Sequence, residues 1–284
     1  MVPVATLSGF LISIHFLFRF ETWFFFFFGA IIGSFLNVCI RRIPNRTFFA
    51  SARSRCPHCN EKIPFYLNIP ILSYLILGGK SQCCHQKIDK EYLIVELLTA
   101  LFLPIIYWTF PFYLAKAPWL HVPTFLRFIH ALTFSSILII CSFIDLKLRI
   151  IPDVLSLPMI LFSPIVVYFH PDLGFKDSLL GIFLGGGIIY LIAWGYYLVR
   201  RAEGMGMGDA KLLAAIGGWL GYQAILPTLF YASILGSIYG LCEIALRSER
   251  NLKSEVAFGP FLALGTGLYF FVSSSWQSRL FGLF

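Results

Sequence analysis

Two carboxylates stand where an otherwise apolar chain has little reason to place them. Asp145 sits in Phe143-Ile-Asp-Leu-Lys-Leu-Arg-Ile-Ile-Pro-Asp153, and Asp209 in Glu203-Gly-Met-Gly-Met-Gly-Asp-Ala-Lys211, each at the end of an apolar run. An ionisable side chain at membrane depth costs on the order of 2.5 kcal/mol or more at a helix centre, so one that is kept there is a functional-site hypothesis. Two carboxyls that cannot both ionise split their proton affinities. One can then activate water while the other protonates a leaving nitrogen, which is the requirement of peptide hydrolysis. Gly204, Gly206 and Gly208 lack side chains, which predicts a backbone before Asp209 that bends freely and lets an extended substrate approach.

The elements that must position these groups are membrane helices. With 58% hydrophobic residues, 13% charged and 31 Phe in 284 residues, the composition lies outside the range of soluble proteins. At about 20 apolar residues per span there is room for roughly eight spans and one modest loop domain. The expected fold is all-α, a polytopic membrane helical bundle with a small cytoplasmic Cys-containing insertion. Apolar runs centre on 22–40, 92–110, 124–144, 153–169, 178–199, 211–222, 224–246 and 256–275. The stretch from Val4 to Phe18 lacks the basic start and small-residue cleavage site of a signal peptide, so Thr22 to Ile40 is read as the first span.

Charge sets the expected orientation. Arg41, Arg42, Arg46, Arg53, Arg55, Lys62, Lys80, Lys87 and Lys90 fall between the first two runs; alternate later loops add Lys147, Arg149, Arg200, Arg201, Lys211, Arg247, Arg250 and Lys253. These place most of the basic residues on one side, which the positive-inside rule assigns to the cytoplasm. Both aspartates then lie near the cytoplasmic face. Topology and anionic membrane lipid account for the net charge of +8, and no nucleic-acid partner is expected.

The one sizeable polar segment, 41–91, carries Cys56, Cys59, Cys83 and Cys84. In a reducing loop, Cys-Pro-His-Cys followed by a second Cys cluster reads as a metal knuckle, with zinc the expected ion, before it reads as a disulfide. Adjacent Cys83 and Cys84 do not easily repeat the chelate geometry of a Cys-x-x-Cys turn, and His58 and His85 are alternative ligands. Cys39, Cys141 and Cys242 are expected to pack as small apolar groups within helices.

Taken in order, several strings resemble bacterial type IV prepilin peptidases over nearly the whole chain. They are Gly33-Ser-Phe-Leu-Asn-Val38, Arg42-Ile-Pro44, Cys56-Pro-His-Cys59, Asn68-Ile-Pro70 with Ser73-Tyr74, Glu96-Leu-Leu-Thr99, Ile144-Asp145 with Ile151-Pro-Asp153, and Glu203 through Leu213. The resemblance implies a membrane aspartyl endopeptidase with a Gly-x-Gly-Asp motif, distantly like presenilin, whose catalytic pair carries over to Asp145 and Asp209. It further implies a multi-pass enzyme of the bacterial cytoplasmic (inner) membrane that removes the basic leader of type IV prepilins and type II secretion pseudopilins. Such enzymes commonly then methylate the new N-terminal amine with S-adenosylmethionine. The family often has a second Cys-x-x-Cys; here Ser81 takes one usual ligand position and Cys84 the last.

The chain accordingly divides into 1–40, an N-terminal segment and first transmembrane helix; 41–91, a cytoplasmic loop domain with a zinc knuckle; and 92–284, a transmembrane aspartyl protease bundle. No glycine-rich nucleotide turn is visible, so the S-adenosylmethionine site follows from the resemblance alone. Simpler roles stand beside these. Asp145 could be a solvated helix end paired with Lys147 and Arg149, and Asp209 could cap a helix starting at Ala210. Asp153 is expected in a cap or first turn, and Glu203 as a substrate contact or partner of Arg201. Gly185-Gly-Gly187 and Gly217-Gly218 are expected at close helix crossings. Asn37 ties one helix to another or serves methyl transfer with Arg42, which could also meet lipid phosphate. Two rivals to the hydrolase are a non-enzymatic membrane transporter and a secretion-assembly subunit; no internal repeat supports the first.

Overall fold

The structure is a computed structural model that describes residues 20–47, 56, 58–59, 61–111, 122–201, 206–246 and 257–281. The stretch from Val4 to Phe18, together with Glu203 and Gly204, lies outside the described residues. The chain divides into two compact units, residues 1–128 and 129–284.

In the first unit, α1 (Phe20–Arg42), a 3-10 turn (Phe65–Asn68), the short α2 (Leu72–Ile76) and α3 (Lys90–Thr109) follow in order. Helices α1 and α3 lie side by side because Gly29 and Gly33, four residues apart, present no side chain at the crossing. A Cβ on Gly29 would fall 2.9 Å from Ala100 Cα, and one on Gly33 2.7 Å from Glu96 Cα. Small residues at this spacing let backbones approach where the surrounding lipid offers no hydrophobic driving force. Polar ties fix the register: Asn37 Nδ2 donates to the Tyr92 carbonyl at 3.0 Å, and Trp108 Nε1 to Thr22 Oγ1 at 3.2 Å. The Phe25 ring stacks on Tyr107 with centroids 4.1 Å apart. On the opposite side of α1, Phe20, Phe24, Phe27, Phe28, Ile31 and Phe35 are exposed at helical spacing, a stripe suited to lipid.

The second unit is built around α7. Its helices are α4 (Val122–Leu148, from Ile129 onward), α5 (Asp153–Tyr168), α6 (Phe175–Arg200), α7 (Met207–Leu220), α8 (Ile225–Leu246) and α9 (Gly259–Phe281). Every residue of α7 from Leu212 to Leu220 is buried. Two glycine contacts bring α6 onto it: Gly181 meets Gly217 backbone to backbone, and Gly185 meets Leu213 and Ala214. Helix α5 reaches it through Ser163 at Gly218 and through Trp219 Nε1, which donates to the Met159 carbonyl at 3.0 Å. Ser178 Oγ donates to the Gly218 carbonyl at 2.7 Å, so the small residues that permit the crossing also expose a backbone acceptor that is satisfied across it. Of the expected packing glycines, 185, 217 and 218 sit at crossings, whereas Gly187 has open space beside it.

All eight apolar runs fold as helices, and no extended strand occurs among the described residues. Five helices are long and apolar enough to cross a membrane: α1, α3, α4, α6 and the segment Tyr222–Leu246 that contains α8. Helices α5 and α7, with 16 and 14 residues, reach only roughly 24 and 21 Å at 1.5 Å per residue. Among the described residues five of the roughly eight expected spans are therefore long and apolar enough to cross a membrane. The remaining apolar runs are apolar for another reason in at least one case, since α7 is covered by protein rather than by lipid. The chain is a multi-pass, all-helical membrane protein.

Candidate active site

Asp145 lies in the last turn of α4, where it is 5% exposed. Its Oδ2 accepts a hydrogen bond from the backbone N–H of Gly259, the first residue of α9, at 3.0 Å. The orphan N–H groups at a helix start carry partial positive charge and suit a carboxylate. Gly259 is required there sterically: a Cβ would stand 2.7 Å from Asp145 Oδ2. The carboxylate is therefore buried against a backbone donor, and the reading of Asp145 as a solvated helix end paired with Lys147 and Arg149 does not hold.

Asp209 lies in the first turn of α7, half-buried. The helix begins at Met207 with Gly206 at the N-cap, three residues before the position that would have made Asp209 the cap. Freed from capping, its carboxylate makes no hydrogen bond among the described residues. Asp145 and Asp209 stand at the end of α4 and the start of α7 in the same compact unit. Gly206 and Gly208 keep ordinary negative φ, so free bending is not what they supply. Gly208 instead packs on Ile151, whose Cβ would be 3.2 Å from an added Cβ. Asp153 is in the first turn of α5, as expected, and Lys211 Nζ reaches its Oδ1 at 2.6 Å, joining α5 to α7.

The first unit holds the cysteine cluster. Sγ atoms of Cys56, Cys59, Cys83 and Cys84 all lie within 4.8 Å of one another. Closest are Cys59 with Cys83 at 3.0 Å and Cys56 with Cys84 at 3.7 Å. Tetrahedral zinc with Zn–S near 2.3 Å has edges of roughly 3.8 Å, so four thiols in this arrangement fit the ion. Adjacent Cys83 and Cys84 do converge, against the chelate argument, because each faces a different cysteine of the first pair. Neither His58 nor His85 belongs to the cluster. Ser81 stands among the sulfurs, its Oγ 2.9 Å from Cys83 Sγ and 3.5 Å from Cys56 Sγ. Burial works to raise the Cys56 thiol, but hydrogen bonds from Ser81 and from the Cys59 and His58 backbone outweigh it and hold it at about 5. The neighbouring Cys83 thiol pushes Cys59 up to about 12.

Beside the cluster a cavity of about 1110 Å³ runs between the loop and the two helices of the first unit. Asn37, Arg41, Arg42, Lys80, Tyr92 and Glu96 contribute to its wall. Asn37 is the helix tie expected of it, and its Oδ1 stays an uncommitted acceptor among the described residues. Arg41 lies over the Tyr92 ring at 4.1 Å and 3.7 Å from Asp89. Glu96 is 8% exposed, and its Oε2 accepts the Ile71 N–H at 2.7 Å.

Sequence reasoning missed two residues here. Gly259 opens the Phe258-Gly259-Pro260 start of the last apolar run, and a Gly-Pro pair at a helix start is the signal that marks it. Glu96 is an acid inside an apolar helix, the same signal that singled out Asp145.

Residues 27–110 match the family described as Bacterial Peptidase A24 N-terminal domain, and residues 132–241 match the Type IV leader peptidase family. The chain is 34% identical to a protein of Dichelobacter nodosus named prepilin leader peptidase/N-methyltransferase, over 90% of this chain and 93% of that protein. Proteins of the same name from Aeromonas salmonicida, over 84% and 86%, and from Pseudomonas aeruginosa, over 83% and 85%, are also 34% identical. No solved structure matches. With both domains matched in order and close relatives covering most of its length, the chain belongs to the type IV leader peptidase family.

Proposed function

We infer that this protein removes the leader peptide of type IV prepilins and pseudopilins and then methylates the N-terminal residue that cleavage exposes. What supports the first half is that Asp145 and Asp209 stand at helix ends of one compact unit, Asp145 buried on the Gly259 N–H and Asp209 half-buried. One of the two carboxyls takes a proton from water as it attacks the scissile carbonyl carbon; the other delivers a proton to the leaving nitrogen as the C–N bond breaks. Gly259 keeps one oxygen of Asp145 occupied, which fixes the plane of that carboxyl while the other oxygen is left for the reaction.

The methyl-transfer half rests on the relatives' name and on the cavity of the first unit. S-adenosylmethionine, when bound, supplies an electrophilic methyl group; Asn37, Arg42 and Lys80 are the side chains placed to hold it. Zinc on Cys56, Cys59, Cys83 and Cys84 staples the loop that closes this cavity. The membrane is the bacterial cytoplasmic membrane, and the acid pair works near its cytoplasmic face. The basic residues flanking the spans support that orientation. There a precursor with a basic leader and an apolar helix presents its junction.

The direct test incubates the purified protein in detergent with a synthetic prepilin, with and without S-adenosylmethionine, and weighs the products. Loss of the leader in both samples, with one added methyl group only when the donor is present, is expected. An intact precursor would refute the peptidase, and a cleaved but unmethylated product in both would refute the second activity.

A further inference from the structure

The cavity of the first unit is larger than one ligand needs, and its wall carries both basic and acidic groups. Ligand pockets usually span about 300–1,000 Å³; at about 1110 Å³, this one has room for a donor and an acceptor together, as a transfer reaction requires. Arg41, Arg42, Lys80 and Lys87 line it where the loop meets the helices, with Glu61 and Asp89 among them. Glu96 lies deeper, on the second turn of α3, a helix long and apolar enough to span a membrane.

The Glu96 carboxylate is held in place at a cost. Ile71 donates its N–H to Oε2 from φ 63°, ψ −54°, a region a β-branched residue rarely enters. A carboxylate offers about four acceptor sites, so the Ile71 donor leaves capacity for a further partner.

We propose that Glu96 receives the newly exposed N-terminal ammonium of the cleaved substrate and orients its nitrogen for methylation. This rests on the function inferred above. Depth selects the amine over the donor: a chain end followed by an apolar helix enters from the membrane side, where Glu96 lies. A water-soluble donor carrying its own carboxylate enters past the basic residues of the loop. In the transfer the amine gives one proton to Glu96, and its lone pair forms the new C–N bond. The donor's C–S bond breaks with its electrons left on sulfur. The proton then passes from Glu96 to water, so one N–H has been exchanged for one N–CH3.

The test uses the full-length protein and two peptides that begin at the mature Phe, one with a free amine and one N-acetylated. Wild-type protein is expected to bind the free amine about tenfold or more tightly than the acetylated form, the scale of a hydrogen bond to a charged group. Glu96→Gln is expected to erase that preference and to stop methylation. It should leave S-adenosylmethionine binding within about twofold and leader cleavage intact, which also reports that the variant is folded. Equal binding of the two peptides by wild-type protein overturns the proposal without relying on any variant. So does a Glu96→Gln protein that still prefers the free amine. Wild-type protein that never methylates removes the underlying methyl-transfer reading, whereas a methylating wild type with a methylating Glu96→Gln removes the Glu96 assignment alone.

Discussion

Gly259 reaches Asp145 from 114 residues along the chain with nothing but a backbone N–H, and its missing side chain is what lets that N–H come so close. The prediction at this scale is that Gly259→Ala pushes the carboxyl aside and lowers kcat for leader cleavage about 10- to 100-fold with little change in KM, as expected for misplacement of a reacting group by a fraction of an ångström to 1 Å. Cleavage kinetics on purified variant would read this, with methylation of a pre-cut peptide as the check on folding; an unchanged kcat would show that the contact positions nothing. Individual side chains differed in how plainly the sequence disclosed them. Asp145 and Asp209 were visible because an acid in apolar surroundings is costly wherever it lies. Glu96 carried the same signature and appeared only as part of a motif. The partner of Asp145 could not be read from its neighbours, since hydrogen bonds across such a separation are set by packing. The glycines before Asp209 were visible, but their use was not: Gly208 packs on Ile151 rather than supplying a bend.

At the scale of elements, hydrophobic runs translated into helices throughout, because a backbone in lipid must satisfy its own polar groups. What composition could not tell apart is a helix apolar because it faces lipid from one apolar because it is enclosed. Helix α7 is the second kind: 14 residues, buried from Leu212 to Leu220, and crossed at glycines. The loop between α1 and α3 has too little apolar core to hold itself by packing, which is where a metal becomes structural. Purified protein should therefore carry about one zinc per chain by elemental analysis, and Cys56→Ser with Cys59→Ser should lose it together with protection of the loop from protease. A metal-free protein whose loop resists protease equally well would reduce the cluster to four packed thiols. The convergence of adjacent Cys83 and Cys84 with Cys56 and Cys59 was not legible in spacing, because it depends on how the loop folds back through the left-handed Gly78 and Gly79 and the pairing of Lys80 with Lys87.

The whole molecule consists of two compact units, each with its own buried acid chemistry: the Asp145 and Asp209 pair in one, Glu96 with its cavity in the other. A division of labour follows. Aspartate variants should fail to cleave yet methylate a pre-cut peptide, and Glu96→Gln should do the reverse; mass spectrometry of both reactions in the same preparations reads the two losses separately. A non-enzymatic transporter or assembly subunit would tolerate all of these changes. The central claim, that two carboxyls act as one unit on one peptide bond, is tested most directly by leader-cleavage rates of Asp145→Asn, Asp209→Asn and the double variant. Each single substitution is predicted to lower the rate by about 10⁴-fold or more, and the double to fall no further, since members of one catalytic unit are not additive. Cleavage within tenfold of wild type by either single variant, or a double variant whose loss is the product of the two single losses, would contradict it.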